Sequence, residues 1–133
     1  MFAITLCIAN AAELIKQQAA AFDEIDAKAK ERQKRRALAL QAMVEDAAQK
    51  FAQQAVLLAR INAEANNYSE QYQDMLDNAL YNAEIIKNAI VKIRENGIIM
   101  TKQAQDRLRS CINDGDVISI IDAIKDVLRT ASN

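Results

Sequence analysis

The apolar residues near the start of the chain recur at a spacing that predicts a helix packed against another helix. The members of this first series are Ile8, Ala11, Ile15, Phe22, Ile25 and Ala29. An apolar position every 3.5 residues on average is the seam of a coiled coil, which needs a partner helix. Because the stretch from Phe2 to Ala65 contains neither Gly nor Pro, we expect one helix to run through all of it.

A second series with the same spacing follows, but it is offset from the first. Its members are Ala37, Leu40, Val44, Ala47, Phe51, Leu58, Ile61 and Ala65. Ala37 follows Ala29 by eight residues rather than seven, which is one residue too many for a single continuous seam. No helix breaker accompanies the offset, so we expect a continuous helix whose partner-facing stripe rotates here. The frequent Ala residues predict close helix packing around a thin core.

A turn is predicted after Ala65, where two Asn residues interrupt the apolar pattern. Asn67 and Glu70 have the spacing of a capping box, and Asn also tolerates the left-handed conformation of a turn. A second long helix is predicted from about Tyr68 to Asn96, folding back on residues 37–65 as a hairpin. The residues predicted to form the hairpin seam are Val44, Phe51, Leu58, Ile61, Tyr72, Ile86 and Ile93.

Two short helices are predicted in the remaining part of the chain. Gly97 has the context of a Schellman C-cap that ends the second long helix. Thr101 is expected to cap a helix that reaches about Ile112, and Asp116 to cap a last one that reaches about Arg129. The last helix has a broad apolar face, so we expect it to dock onto the second long helix.

These patterns define the predicted fold class and its division into segments. The fold is all-α, an elongated helical hairpin or coiled coil of two long helices with two short C-terminal helices. We expect a single helical domain, residues 1–133, in three segments. They are a projecting N-terminal helix segment (1–36), a helical hairpin (37–96) and the short C-terminal helices (97–133).

The first turns of the N-terminal helix are apolar around nearly the whole circumference, which requires burial on all sides. We therefore expect other subunits or a partner to cover this segment. The residues predicted to form that interface are Phe2, Ile4, Ile8, Ile15, Phe22 and Ile25. The segment has no basic start and its apolar run is broken early, so it is interpreted as helix rather than as a leader peptide. It is also too short to span a bilayer.

The strongest charge run of the chain coincides with the offset between the two series. Its basic residues are Lys28, Lys30, Arg32, Lys34, Arg35 and Arg36. The ordinary interpretation is a solvated face, with Glu24 pairing to Lys28 and Asp26 to Lys30. The functional alternative is a patch that binds an anion, such as nucleic acid or an acidic partner. The net charge of the whole chain is −1, so any such attraction would be local.

Composition argues against an enzyme, a cofactor or a metal site. The chain has no His, which removes His-based catalysis and nearly all zinc or haem sites. Its two Gly residues, Gly97 and Gly115, are too few and too far apart for a phosphate-binding loop. Cys7 and Cys111 are expected to be buried thiols, although a disulfide between them stays open.

The leading functional prediction is a structural protein that associates with itself into an oligomer or filament. A component of a secretion apparatus or of a phage would suit these features. The alternative is a small helical chaperone or regulator that binds a partner's amphipathic helix. Binding of nucleic acid through the basic run ranks third, and no membrane span is expected. The expected location is the cytoplasm, or outside the cell after export without a conventional signal peptide.

Overall fold

The computed structural model describes the backbone of residues 2–131 and the side chains of residues 8–131. The described residues form helices and no strand. The helices are α1 (Phe2–Ala65), α2 (Glu70–Glu95), α3 (Lys102–Asp114) and α4 (Val117–Ala131). The predicted all-α fold is confirmed: two long helices pack with two shorter C-terminal helices.

The chain divides into two compact units, residues 1–37 and residues 38–133. The first unit is helical and belongs to α1, whose backbone helix continues unbroken through the offset at residues 29–37. The second unit contains the rest of α1 and all of α2, α3 and α4. The predicted single domain with a projecting N-terminal segment stays a prediction.

The turn between α1 and α2 differs in detail from the predicted capping box. Asn67 and Tyr68 both adopt left-handed backbone conformations, with φ values of 54° and 52°. The residue that precedes α2 is Ser69, and its side chain makes no capping hydrogen bond. Asn67 is therefore not the N-cap, because its left-handed conformation is used to reverse the chain. The backbone N–H of Tyr68 donates to the Ala63 carbonyl at 2.7 Å, which closes the end of α1.

Among the described side chains, the core cluster lies in the second unit, where residues of α1, α2, α3 and α4 contribute to it. Its largest fully buried side chains are Ile86, Ile90, Ile93, Leu108, Ile120 and Ile124. Full burial of one such side chain contributes about 1.5–3 kcal/mol. The predicted docking of the last helix is confirmed, since α4 packs against α2 and also against α3. The contribution of α1 is made largely by small side chains, Ala48 and Ala52 among them.

The buried stripe of α1 lies on a different face from the predicted seven-residue series. Gln41, Ala48, Ala52 and Ala63 are buried, and none of them belongs to that series. The predicted seam residues Leu58 and Ile61 are instead 61% and 53% exposed. Leu40, near the start of the predicted series, is already 49% exposed. The predicted series therefore lies to one side of the buried stripe, and only Val44 and Phe51 reach the core.

The other predicted seam residues lie at the core of the second unit or at its edge. Val44, Ile86 and Ile93 are buried, with at most 5% of each exposed. Phe51 is half-buried and packs against the core cluster. Tyr72 is half-buried near the turn.

Helix ends in the second unit follow the predicted capping chemistry. Gly97 has a φ of 60°, and the N–H of Ile98 donates to the Ile93 carbonyl at 3.0 Å, as in a Schellman motif. The Thr101 side chain accepts from the N–H of Ala104 at 3.1 Å and caps α3. Capping geometry thus sets the path of the chain between α2 and α3.

Candidate assembly surface

The N-terminal unit presents the first apolar series as an uncovered stripe. Every side chain from Ile8 to Lys28 is exposed. The exposed fractions of Ile15 and Phe22 are 66% and 70%, and Ile8 and Ile25 are exposed to a similar degree. These positions share one face of a helix because they recur at helical spacing. A row of large exposed apolar side chains marks a surface that another molecule covers.

Residues beside this stripe widen it without adding charge. Ala12, Ala19 and Ala21 flank the row, and Leu14 adds a further exposed apolar side chain. Methyl-sized neighbours permit a second helix to approach closely, since the distance between helix axes depends on the side chains at the contact. Phe2 and Ile4, which the sequence assigns to the same interface, lie outside the described side chains.

The basic run, residues 28–36, follows the stripe along α1. Lys28 pairs with Glu24 at 3.2 Å, and Lys30 pairs with Asp26 at 3.3 Å. Both pairs were predicted from the sequence. Among the described side chains, no ion pair is found for the cations further along the run, Arg32, Lys34, Arg35 and Arg36. All four are exposed, so they present a local positive charge to solvent.

A buried polar network joins α1 to the segment between α2 and α3. Gln41 is 3% exposed, and its Nε2 donates to the Ile98 carbonyl at 2.8 Å. Its Oε1 accepts the backbone N–H of Met100 at 2.7 Å. The same Nε2 also lies 3.3 Å from a carboxylate oxygen of Glu45. Both ends of the amide are therefore satisfied, as burial of a polar side chain requires.

Glu45 and Arg94 extend this network to the surface. Only 3% of the Glu45 side chain is exposed, and its carboxylate accepts from Arg94 Nε at 3.0 Å. Arg94 Nη2 also donates to Asp46 at 2.8 Å. These hydrogen bonds, first that to Asp46 and then that to Glu45, raise the pKa of the Arg94 guanidinium. The guanidinium thus holds α2 against α1 and compensates a buried negative charge.

Sequence reasoning missed this network because its members have no distinctive spacing. Gln41 and Glu45 are four residues apart on a predicted helix, which is common among exposed polar residues. Their partners lie some fifty residues further along the chain or more. A buried Gln is identified only when the segment that it contacts is known.

The outward face of α2 carries an acidic stripe, defined by Glu70, Asp74, Asp77 and Glu84. All four are exposed and recur at helical spacing, and Tyr81, which is 67% exposed, lies between the last two. The buried residues Leu76, Ile86, Ile90 and Ile93 occupy the opposite side of the same helix. Residues 61–86 contain five acidic residues and no basic one. This part of the hairpin is therefore locally anionic.

Two of the open grooves in the second unit lie beside different helices. One, of about 450 Å³, runs between α1 and α2 and is lined by Val56, Leu57, Leu80 and Ala83 with charged residues at its edges. The other, of about 520 Å³, lies beside α3 and α4, where Arg107 forms an ion pair with Asp126. That contact lowers the pKa of the Asp126 carboxyl. Neither groove brings together the groups of a recognisable catalytic site.

The described side chains provide no cluster of three metal-ligating residues. Cys111 is half-buried and its thiol is free, while Cys7 lies outside the described side chains. Within the part of the chain that the structure describes, no helix combines the length and apolar character needed to cross a membrane.

Comparison with known proteins gives no further information about the function. The chain matches no protein-family model, no curated protein and no solved structure. The function is therefore argued from the surfaces described above.

Proposed function

We propose that the chain is a non-enzymatic structural protein that associates with itself through the N-terminal part of α1. The observation that carries this proposal is the row of exposed apolar side chains at Ile8, Ile15, Phe22 and Ile25. Four such side chains at seam spacing are costly to leave in water, since burial of each contributes about 1.5–3 kcal/mol. A helix that has no packing partner in its own unit gains that energy from a second chain.

The first test replaces two seam residues and measures the mass of the particle. The variant Ile15→Gln/Phe22→Gln keeps good helix formers but removes the largest apolar groups of the stripe. Wild-type protein is expected to exceed the 14.8 kDa of one chain, and the variant to return to that mass in sedimentation or light scattering.

The matched control introduces the same residue on the other side of the helix. Ala20 and Ala27 lie five residues after Ile15 and Phe22 and so face away from the stripe. The variant Ala20→Gln/Ala27→Gln should assemble as the wild type does. A wild-type chain that is a fully helical monomer under dilute conditions would contradict the proposal.

A second candidate function is binding of a partner's amphipathic helix. The groove between α1 and α2 favours it, because its floor is apolar and its edges carry Arg60, Glu84 and Lys87. This mode of recognition places apolar anchors of the partner in the groove. Its test is purification from the native source, where a stoichiometric second protein would separate it from self-association.

A further inference from the structure

The basic run and the acidic stripe are two surfaces of opposite charge that are only partly paired within the chain, since Lys28 and Lys30 form ion pairs with Glu24 and Asp26. Residues 28–36 contain six basic residues and one acidic residue, a net charge of 6 − 1 = +5. Residues 61–86 contain five acidic residues and no basic one, a net charge of −5. Among the described side chains, no ion pair is found for the acidic stripe, Glu70, Asp74, Asp77 and Glu84, or for Arg32, Lys34, Arg35 and Arg36 of the basic run. Each is therefore available to a partner of the opposite sign.

We propose that the acidic stripe of one copy binds the end of the apolar stripe and the basic run of a second copy, with the two helices antiparallel. This inference rests on the proposed self-association and specifies its contact. The contact is heterologous, because a different surface is used on each copy. Such contacts produce a ring when the rotation closes and an open filament when it does not.

The spacing of the two surfaces supports this pairing. On α1, the seam positions Phe22, Ile25, Ala29, Arg32 and Arg36 alternate by three and four residues. On α2, the positions Glu70, Asp74, Asp77, Tyr81 and Glu84 alternate in the same way. Two seams with one period stay in contact over their length. A single antiparallel register matches all five positions.

That register pairs Arg32 with Asp74 and Arg36 with Glu70, and it places Ile25 beside Tyr81. The two remaining pairs, Phe22 with Glu84 and Ala29 with Asp77, each place an apolar side chain beside a carboxylate. Exposed ion pairs contribute little energy individually, about 0–1 kcal/mol each. They nevertheless suppress wrong pairings and set register. The apolar contact of Ile25 with Tyr81 therefore supplies affinity, and the charges determine which surface of the second copy the end of the apolar stripe meets.

The test is a charge exchange between two variants. The variant Arg32→Glu/Arg36→Glu carries acidic residues at the matched positions of both surfaces, and Glu70→Arg/Asp74→Arg carries basic residues at the matched positions of both surfaces. At low salt, each variant alone should assemble only at a protein concentration about tenfold higher than the wild type requires. An equimolar mixture should assemble as the wild type does, because each surface then meets its opposite. Circular dichroism checks that each variant keeps its helices.

The control variant changes the same number of acidic charges elsewhere. Glu95 and Asp122 are exposed and lie outside the stripe, so Glu95→Arg/Asp122→Arg should assemble normally. Added salt should weaken wild-type assembly because exposed charges are screened.

The outcomes separate this inference from the proposed function. If wild-type protein is a monomer, both proposals are wrong. If Ile15→Gln/Phe22→Gln dissociates the particle while both charge variants assemble normally, only the antiparallel contact is wrong. A mixture that fails to recover assembly also overturns it. The antiparallel contact is also wrong if Arg32→Glu/Arg36→Glu assembles as the wild type does but is no longer retained on DNA. That result would show that the basic run binds nucleic acid.

Discussion

At the scale of single residues, Gln41 is a polar side chain that stabilises the fold from a buried position. It lies on α1 and bonds both the carbonyl of Ile98 and the N–H of Met100. Those backbone groups belong to the segment that connects α2 to α3. This segment has no regular secondary structure that would provide them with hydrogen-bond partners. One side chain thus replaces the hydrogen bonds of regular structure at a point where the chain changes direction.

Replacing Gln41 with Leu should lower the free energy of unfolding by about 2 kcal/mol. Leu fills a similar volume but leaves the buried N–H of Met100 without an acceptor, and such a loss costs about 1–3 kcal/mol. Urea unfolding measures the change. The control is Gln54→Leu, at an exposed position of the same helix, which should stay within about 0.5 kcal/mol of the wild type. Equal unfolding midpoints for the two variants would refute this role of Gln41.

At the scale of elements, the short helices depend on the residues at their ends. The turn between α3 and α4 uses Gly115 in a left-handed conformation with a φ of 69°. A side chain at that position would meet the ring of Phe51 at 3.8 Å. Asp116 then begins α4 by accepting from the backbone N–H and the hydroxyl of Ser119. Local chemistry therefore both ends α3 and starts α4.

The Asp116 cap predicts a pH dependence of thermal stability. The hydrogen bonds from Ser119 lower the pKa of the Asp116 carboxyl below its usual value of 3.8. Because the folded state then holds its proton less tightly than the unfolded state, the stabilisation is complete above about pH 4. It is lost as the pH falls through the lowered pKa.

The variant Asp116→Ala should therefore melt below the wild type at pH 7, with a difference that shrinks on acidification toward pH 2. The variant Asp116→Asn retains a capping oxygen but does not titrate. Its melting temperature should differ from that of Asp116→Ala by the same amount at every pH. A wild-type advantage that persists at pH 2 would show that the carboxylate is not the stabilising group.

At the scale of the whole molecule, the residues that stabilise the fold are different from those that form the proposed contact surface. Every member of the core cluster lies between Val44 and Leu128. Among the described side chains, the large apolar residues of the first unit, from Ile8 to Ile25, are exposed and take no part in that cluster. This distribution suits a protein whose core folds within one chain while another surface is completed by other copies.

A fragment of residues 38–133 should consequently fold without the N-terminal unit. We expect cooperative unfolding with a midpoint within a few degrees of the wild type, because the core and the Gln41 network remain intact. Calorimetry at equal concentration measures it. A shorter fragment, residues 54–133, removes Val44, Ala48 and Ala52 from the core and should not fold. An unfolded 38–133 fragment would mean that stability also depends on the first 37 residues.

Much of the fold could be predicted because it depends on neighbours in the sequence. The helix ends at Gly97 and Thr101 have the predicted capping chemistry, and the pairs Glu24–Lys28 and Asp26–Lys30 follow from a four-residue spacing. The turn before α2 was predicted at the right place. Its capping residue was not, since the left-handed conformation of Asn67 excludes it from that role.

The hairpin contact was harder to predict because periodicity alone does not choose between similar stripes. Leu58 and Ile61 fit the predicted series, yet α1 buries a neighbouring stripe of small and polar residues, among them Ala52 and Ala63. Ala residues occur on several faces of α1, so the position of α2 decides which face is buried. The acidic stripe could be identified as an exposed surface only once the buried side of α2 was known.

The sequence by itself determined the helices, most of their ends and the apolar stripe of the N-terminal unit, because each depends on residues a few positions apart. Only the tertiary structure decided which polar side chains are buried, as Gln41 and Glu45 show. It also decided which face of α1 packs on α2 and which face of α2 remains in solvent. The physical reason is that burial depends on segments that meet in space, and a hydrogen bond across 59 residues, such as that from Met100 to Gln41, leaves no local pattern.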